Sequence, residues 1–269
     1  YNNIGGIYDS QGDYAKSFEY YNKSLLILEK LFGPDHPDVA RLYNNIGRIY
    51  SSQGDYNKSL EYYNKSLLIL EKLFVSDHPD VAALYNNIGD IYSSQGDYAN
   101  SLEYYNKSLS ILENVFGLDH PDVARLYNNI GRIYDSQSDY AKSLEYYNKS
   151  LSIYESVLGP DHPDVATLYN NIGLVYSSQG DYAKSLEHYN KSLMIYEKIF
   201  GPEHPDVARS YNNIGLVYSS QGNNVKALEY YNKSLFILEK VLGPDHPDVA
   251  RSYNNIGGIY DSQGDYAKS

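Results

Sequence analysis

The pentapeptide Tyr43-Asn44-Asn45-Ile46-Gly47 decides the fold, because it recurs along the chain at a constant interval of 42 residues. Its copies begin at Tyr1, Tyr43, Tyr85, Tyr127, Tyr169, Tyr211 and Tyr253. The chain is therefore predicted to contain six repeats, 1–42, 43–84, 85–126, 127–168, 169–210 and 211–252, and part of a seventh, 253–269. A period of this length is typical of a solenoid, in which each unit buries its apolar face against its neighbours. We expect one elongated domain over residues 1–269.

Each repeat is predicted to form two helices. The segment from Pro37 to Gln53 has apolar residues at helical spacing, and it begins with a proline suited to the first turn. Gly54 ends this helix, and Asp55 is placed to cap a second helix that runs to a glycine such as Gly33. A turn this short makes the two helices antiparallel. The fold class is therefore all-α.

Small residues lie where the two helices of a repeat are expected to meet. Gly47 is on the first helix, and Ser59 and Ser66 are on the second. Their size allows the two backbones to approach closely. We expect each serine hydroxyl to bond to a carbonyl one turn earlier in its own helix.

Composition excludes several classes of function. The net charge of −12 opposes binding to nucleic acid or to an anionic membrane. No segment approaches the roughly 20 apolar residues of a membrane span, and the absence of cysteine fits a cytoplasmic protein. His36 and its equivalents recur once per repeat, too far apart to share a metal ion. We expect no enzyme activity, no metal and no cofactor.

Nine residues of the second repeat stand where the tetratricopeptide repeat family has its aromatic, aliphatic, small and turn residues. They are Tyr43, Ile46, Gly47, Tyr50, Gly54, Tyr56, Ser59, Tyr63 and Ser66. The resemblance extends over the whole chain. The period exceeds the 34 residues of the common repeat, and in this the chain resembles the 42-residue subclass found in kinesin light chains.

The resemblance implies an α-α superhelix, a right-handed solenoid of antiparallel helix pairs. The first helix of each pair forms the concave wall of such a solenoid. Members of the family commonly bind an extended peptide in that groove, where asparagine side chains hold the peptide backbone.

Paired asparagines occupy the middle of the first helix in each repeat, although asparagine is a poor residue for a helix interior. The candidates are Asn44, Asn45, Asn86, Asn87, Asn128, Asn129, Asn170, Asn171, Asn212 and Asn213. Their amides can donate hydrogen bonds to a bound peptide and accept hydrogen bonds from it. The alternative is that one amide of each pair bonds across repeats and only fixes the stack.

All arginines occur at two positions of the repeat, seven residues apart. They are Arg41, Arg48, Arg125, Arg132, Arg209 and Arg251. Two helical turns separate the positions, so the arginines share a stripe with the asparagines between them. Because the guanidinium group suits carboxylates, an acidic peptide is the expected partner. The alternative is that these arginines form exposed ion pairs with aspartates such as Asp38.

One position on the expected groove differs between copies. It is occupied by Gly6, Arg48, Asp90, Arg132, Leu174, Leu216 and Gly258 in turn. This order suggests a partner that is acidic at one end and hydrophobic at the other. Neutral drift at an exposed position is the alternative.

The sequence thus predicts a non-enzymatic scaffold for protein–protein interaction, with the asparagines, arginines and variable residues in its groove. A second hypothesis is an architectural spacer or rod that binds nothing in the groove. In that case the terminal repeats, which have no polar capping unit, would join copies end to end.

Overall fold

The computed structural model describes residues 1–74 and 77–262, and this part of the chain contains helices and no strand. Its thirteen helices are α1 (Asn2–Ser10), α2 (Tyr14–Phe32), α3 (Pro37–Ser52), α4 (Tyr56–Leu73), α5 (Pro79–Ser94), α6 (Tyr98–Phe116), α7 (Pro121–Ser136), α8 (Tyr140–Leu158), α9 (Pro163–Ser178), α10 (Tyr182–Phe200), α11 (Pro205–Ser220), α12 (Asn224–Leu242) and α13 (Pro247–Ser262). We call the odd-numbered helices A and the even-numbered helices B. The all-α fold is confirmed. Residues 263–269 of the incomplete seventh repeat lie outside the described residues.

The chain forms two compact units, Tyr1–Ile133 and Tyr134–Ser269. The boundary falls inside α7, so the first unit contains α1 to most of α7, and the second continues from the end of α7 to α13. Both units are built from the same helical hairpins. The single domain expected from the repeats stays a prediction.

Side chains cap the starts of both kinds of helix. Asp55 precedes α4 and accepts a hydrogen bond from the backbone N–H of Lys58 at 3.2 Å, as predicted from the sequence. His36 precedes α3, and its Nδ1 accepts from the backbone N–H of Asp38, also at 3.2 Å. The repeated histidine is thus an N-cap residue.

Glycines with positive φ end the helices. Gly54, in the turn between A and B, has φ of 77°, and Gly33, after a B helix, has φ of 86°. The side chain of an L-residue disfavours this conformation. In the fourth repeat Ser138 takes the turn position with φ of 60°, so this turn lacks the usual glycine.

The A helices provide most of the core. Val39, Ala40, Leu42 and Ile46 of α3 are fully buried. These residues are enclosed because α3 packs against α4 of its own repeat and α2 of the preceding one. The remaining face of α3 carries the half-buried asparagines and the exposed arginines.

A glycine of the A helix and a tyrosine of the B helix set the distance between them. A Cβ atom on Gly47 would lie 2.7 Å from the ring of Tyr63, which is 3% exposed. Gly89 stands in the same relation to Tyr105. The two helices can approach this closely only because the glycine has no side chain.

The serines of the B helices bond to the A helix. Ser66 Oγ donates to the carbonyl of Ala40 at 2.7 Å, and Ser17 Oγ donates to the carbonyl of Gly5 at 2.8 Å. The prediction that the hydroxyl bonds within its own helix is wrong for Ser66, and Ser59 Oγ has no hydrogen-bond partner among the described residues. The small residues of the A helix bring its carbonyls within reach of the hydroxyls.

A tyrosine–glutamate hydrogen bond joins successive repeats. Tyr43 Oη donates to Glu29 at 2.9 Å, and Tyr85 repeats this contact with Glu71. Burial, together with the bond to Glu29, raises the pKa of Tyr43 to about 12. The bond therefore persists throughout the neutral pH range.

Candidate functional site

The paired asparagines form hydrogen bonds between neighbouring A helices. The second asparagine of a repeat donates through Nδ2 to Oδ1 of the first asparagine in the preceding repeat. In the first unit Asn87 donates to Asn44 at 3.0 Å, and in the second unit Asn213 donates to Asn170 at 2.7 Å. Such a bond uses only part of each amide, which has two N–H donors and a carbonyl with two lone pairs.

The arginines at the first position of the stripe pair with an aspartate three residues earlier. The distance from Arg41 Nη2 to Asp38 Oδ1 is 2.7 Å, and that from Arg125 to Asp122 is 3.0 Å. Arg209 and Arg251 form the same pair with their own aspartates. These ion pairs are exposed, and a pair of this kind contributes only about 0.2–1 kcal/mol.

Arg48, at the second position, pairs with an aspartate of the preceding repeat. Its Nη2 lies 2.5 Å from Oδ2 of Asp9, which is on α1. The Asp9 side chain is 11% exposed and that of Arg48 is 56% exposed. Asp9 was not among the site residues predicted from the sequence. The signal was available, because four of the seven copies have serine at this position, as Ser51 and Ser93 illustrate, and only three have aspartate.

The central feature of the first unit is a cleft of about 630 Å³ between α5 and α7. Predicted site residues line it together: Asn86, Asn87, Asp90, Arg125, Asn129 and Arg132. Asn129 donates to Asn86 at 3.1 Å inside the cleft. The structure therefore brings amides, a carboxylate and two guanidinium groups to one surface.

Asp90 is enclosed by hydrogen-bond donors. Its Oδ1 accepts from Tyr105 Oη at 2.6 Å, and its Oδ2 accepts from Asn86 Nδ2 at 3.1 Å. Burial raises the pKa of Asp90, although these bonds and the charges of Arg132 and Arg125 oppose the rise. The carboxylate thus offsets part of the positive charge in the cleft.

Tyr105 lines the cleft but was not among the predicted site residues. Its ring is buried against Gly89, yet its hydroxyl emerges beside Asp90. The signal that could have revealed it is the glycine, because only a missing side chain lets a B-helix ring reach through to the far face of the A helix.

Other predicted site residues line separate cavities. In the first unit, Arg41 and Asn44 border one of about 190 Å³. In the second unit, Arg209, Asn212, Asn213 and Arg251 surround a cavity of about 250 Å³. Leu216 lies at a cleft of about 590 Å³ with Asn254 and Asn255.

The leucines at the variable position are both partly exposed. Leu174 is 47% exposed and Leu216 is 44% exposed. Asn128 is the first asparagine of the pair in α7, and Asn171 is the second asparagine of the pair in α9.

In the described residues no group of histidines and carboxylates could hold a metal ion. None of the helices described is long and apolar enough to span a membrane.

Comparison with solved structures shows the same fold. BtubC (BKLC) from P. vanneervenii has a TM-score of 0.72 at 20% identity, covering 85% of this chain and 92% of that one. A kinesin-light-chain protein of nearly identical TPR-like repeats from Podosopora anserina has a TM-score of 0.65 at 20% identity, covering 76% and 97%. A STAND signal transduction ATPase with a tetratricopeptide repeat sensor, from Pyrococcus horikoshii, has a TM-score of 0.75 at 16% identity, covering 99% and 39%.

Comparison of the sequence itself identifies the family. No curated protein matches the chain. A family model described as Tetratricopeptide repeat matches residues 1–72, 51–114, 80–156, 136–198, 164–240 and 211–269. Since these matches together span the sequence, the chain belongs to the tetratricopeptide repeat family, with kinesin-light-chain-like proteins among its structural neighbours.

Proposed function

We propose that the chain is a non-enzymatic scaffold that binds an extended segment of another protein along its A helices. Tetratricopeptide repeats are suited to protein–protein interaction. The observation that carries the proposal is the cleft of the first unit, where amides with unused capacity adjoin Arg125 and Arg132. An extended peptide presents one N–H and one C=O per residue, which these amides can satisfy.

The proposed guest is acidic where it meets the first unit. Arg41, Arg48 and Arg125 already hold carboxylates of the chain itself, at 2.5 to 3.0 Å. A carboxylate of the guest can exchange with an exposed one such as Asp38 or Asp122, because exposed pairs are weak. The second unit offers apolar contacts at Leu174 and Leu216.

A peptide-binding screen with charge-matched variants tests this proposal. The groove variant is Arg125→Ala with Arg132→Ala, and the control is Lys65→Ala with Lys107→Ala, on the B helices. Both variants remove two positive charges. We expect the groove variant to bind an acidic peptide at least tenfold more weakly than the wild-type chain, since charge-assisted hydrogen bonds are each worth about 1.5–3 kcal/mol. Equal losses in both variants would show only a long-range charge effect and would contradict the proposal.

Head-to-tail self-association is a second proposal, and it rests on the apolar surface of the first repeat. Ile4 and Ile7 are 40% and 56% exposed, whereas their equivalents Ile46 and Ile49 are 0% and 1% exposed. A second copy could cover this surface. Light scattering over a range of concentrations would then show growth in mass that Ile7→Glu abolishes. A constant monomer mass would exclude it.

A further inference from the structure

The same repeat position has two different environments in the two units. Asp9 in the first repeat and Asp135 in the fourth repeat are equivalent, and each precedes the variable groove position of the next repeat by 39 residues. In the first unit that position is Arg48, whose guanidinium binds Asp9. In the second unit the variable groove position is occupied by Leu174, which is uncharged and cannot form an ion pair.

Asp135 consequently lacks the partner that Asp9 has. Among residues 1–74 and 77–262, no side chain or backbone N–H donates a hydrogen bond to its carboxylate, and no cation pairs with it. The residue is half-buried, and burial raises the pKa of its carboxyl group. A partly desolvated carboxylate of this kind is destabilising unless a donor compensates it.

Two residues of the second unit, Tyr189 and Leu174, bear on the environment of Asp135. Tyr189 of α10 lies within electrostatic range, and its ring packs against Gly173, which neighbours Leu174. Burial, and to a smaller extent the charge of Asp135, raises the pKa of the Tyr189 hydroxyl. Tyr189 is therefore neutral near pH 7. Leu174, which is 47% exposed, holds the repeat position that Arg48 holds when it binds Asp9.

We propose that Asp135 and Leu174 form a subsite for a cationic side chain of the bound protein, above all for an arginine. The guanidinium would take the place that Arg48 takes on Asp9, and its aliphatic stem would lie on Leu174. Arginine is preferred over lysine because its planar fork can donate two hydrogen bonds to one carboxylate. The subsite deepens the proposed function, on which it rests, by adding a basic residue to the partner.

Rebuilding the internal pair tests this subsite. Leu174→Arg recreates the Asp9–Arg48 pair and should fill the site from within. The matched control is Leu216→Arg, because the residue equivalent to Asp135 in the preceding repeat is Ser177, which has no carboxylate. The probe is N-acetyl-arginine amide, with the neutral citrulline analogue beside it, and the measurement is the pKa of Asp135 from its carboxyl ¹³C shift.

We expect the arginine probe to lower the Asp135 pKa in the wild-type chain and in Leu216→Arg. In Leu174→Arg the pKa should be low without the probe and should not respond to it. An Asp135 pKa that ignores the probe in the wild-type chain, or responds equally in Leu174→Arg, overturns the proposal.

A peptide measurement that needs no added arginine complements the titration. Asp135→Asn should reduce the affinity of an arginine-containing guest roughly tenfold and leave a citrulline-containing guest unaffected, since it removes a charge-assisted hydrogen bond. Equal losses for both guests would overturn the subsite. If no peptide binds at all, the proposed function fails, while the titration with the free arginine probe still decides about the subsite.

Discussion

The glycine–tyrosine contact is the part of each hairpin that leaves least room for change. Gly47 faces the ring of Tyr63 at a distance that no real Cβ atom tolerates, whereas Gly6 has only the Tyr21 hydroxyl at 3.6 Å. The two glycines are neighbours in the repeat pattern, yet only the first is required by packing. Their substitution therefore separates a steric effect from a helix-propensity effect.

Gly47→Ala should destabilise the chain by about 1–3 kcal/mol, the usual cost of overpacking a core. Gly6→Ala should be neutral or stabilise by up to about 1 kcal/mol, because alanine is the better helix former. Urea denaturation followed by circular dichroism measures both. Equal effects of the two substitutions would mean that the tyrosine ring moves aside.

Ser138 holds a backbone conformation that favours glycine. Its φ is 60°, and the equivalent glycine of the next repeat, Gly180, has φ of 76°. Ser138→Gly should therefore stabilise the second unit by about 1 kcal/mol, and Gly180→Ser should destabilise it by a similar amount. Thermal denaturation of the two variants beside the wild-type chain checks this. A stabilising Gly180→Ser would contradict it.

The caps of the B helices make their stability depend on pH. Hydrogen bonds from the side chain and then the backbone of Lys58 lower the pKa of Asp55, and Asp139 and Asp181 are lowered in the same way by their own lysines. A lowered carboxyl pKa means that the folded chain binds the proton more weakly than the unfolded chain. The stabilisation is therefore present above the unfolded pKa, about 3.9, and is lost as the pH falls through the folded value.

The sixth repeat provides a natural comparison, because Asn223 caps α12 through its side-chain oxygen and does not titrate. Replacing Asp55, Asp139 and Asp181 by asparagine should keep the caps. The chain should then lose less stability as the pH falls from about 6 to about 3, a range that brackets the aspartate pKa. Denaturation midpoints across this range measure the difference. An unchanged pH profile would mean that these caps do not contribute to acid sensitivity.

Helices were predictable from the sequence because their signals are local. Pro37 starts a helix, Gly54 ends it and Asp55 caps the next, and all three act within a few residues of their own position. The bonds from Asp9 to Arg48 and from Tyr105 to Asp90 could not be predicted in this way. They depend on the stagger between neighbouring helices. That stagger is set by side-chain packing, and the spacing of residues within one helix does not reveal it.

The chain as a whole should not be uniformly stable. In the first unit α3 contacts α2 and α4 contacts α5, and Ile27 of the first hairpin is 44% exposed, while its equivalent Ile69 in the second is 5% exposed. In a linear array of this kind, stability follows the local interfaces. Amide hydrogen exchange should therefore be faster in α1 and α2 than in α3 to α6. Equal protection across these helices would indicate a single cooperative unit.

The asparagine bonds described above have a direction, since in each of them the donor comes from the later repeat of the pair, as in Asn87 to Asn44 and Asn255 to Asn212. Every such bond joins the same two atoms, so the excision or duplication of one whole period recreates an identical junction. Genes for such chains can change length by unequal recombination without harming the fold. What shifts is the order of Arg48, Asp90 and Leu174, so variation in copy number becomes a source of new binding preferences.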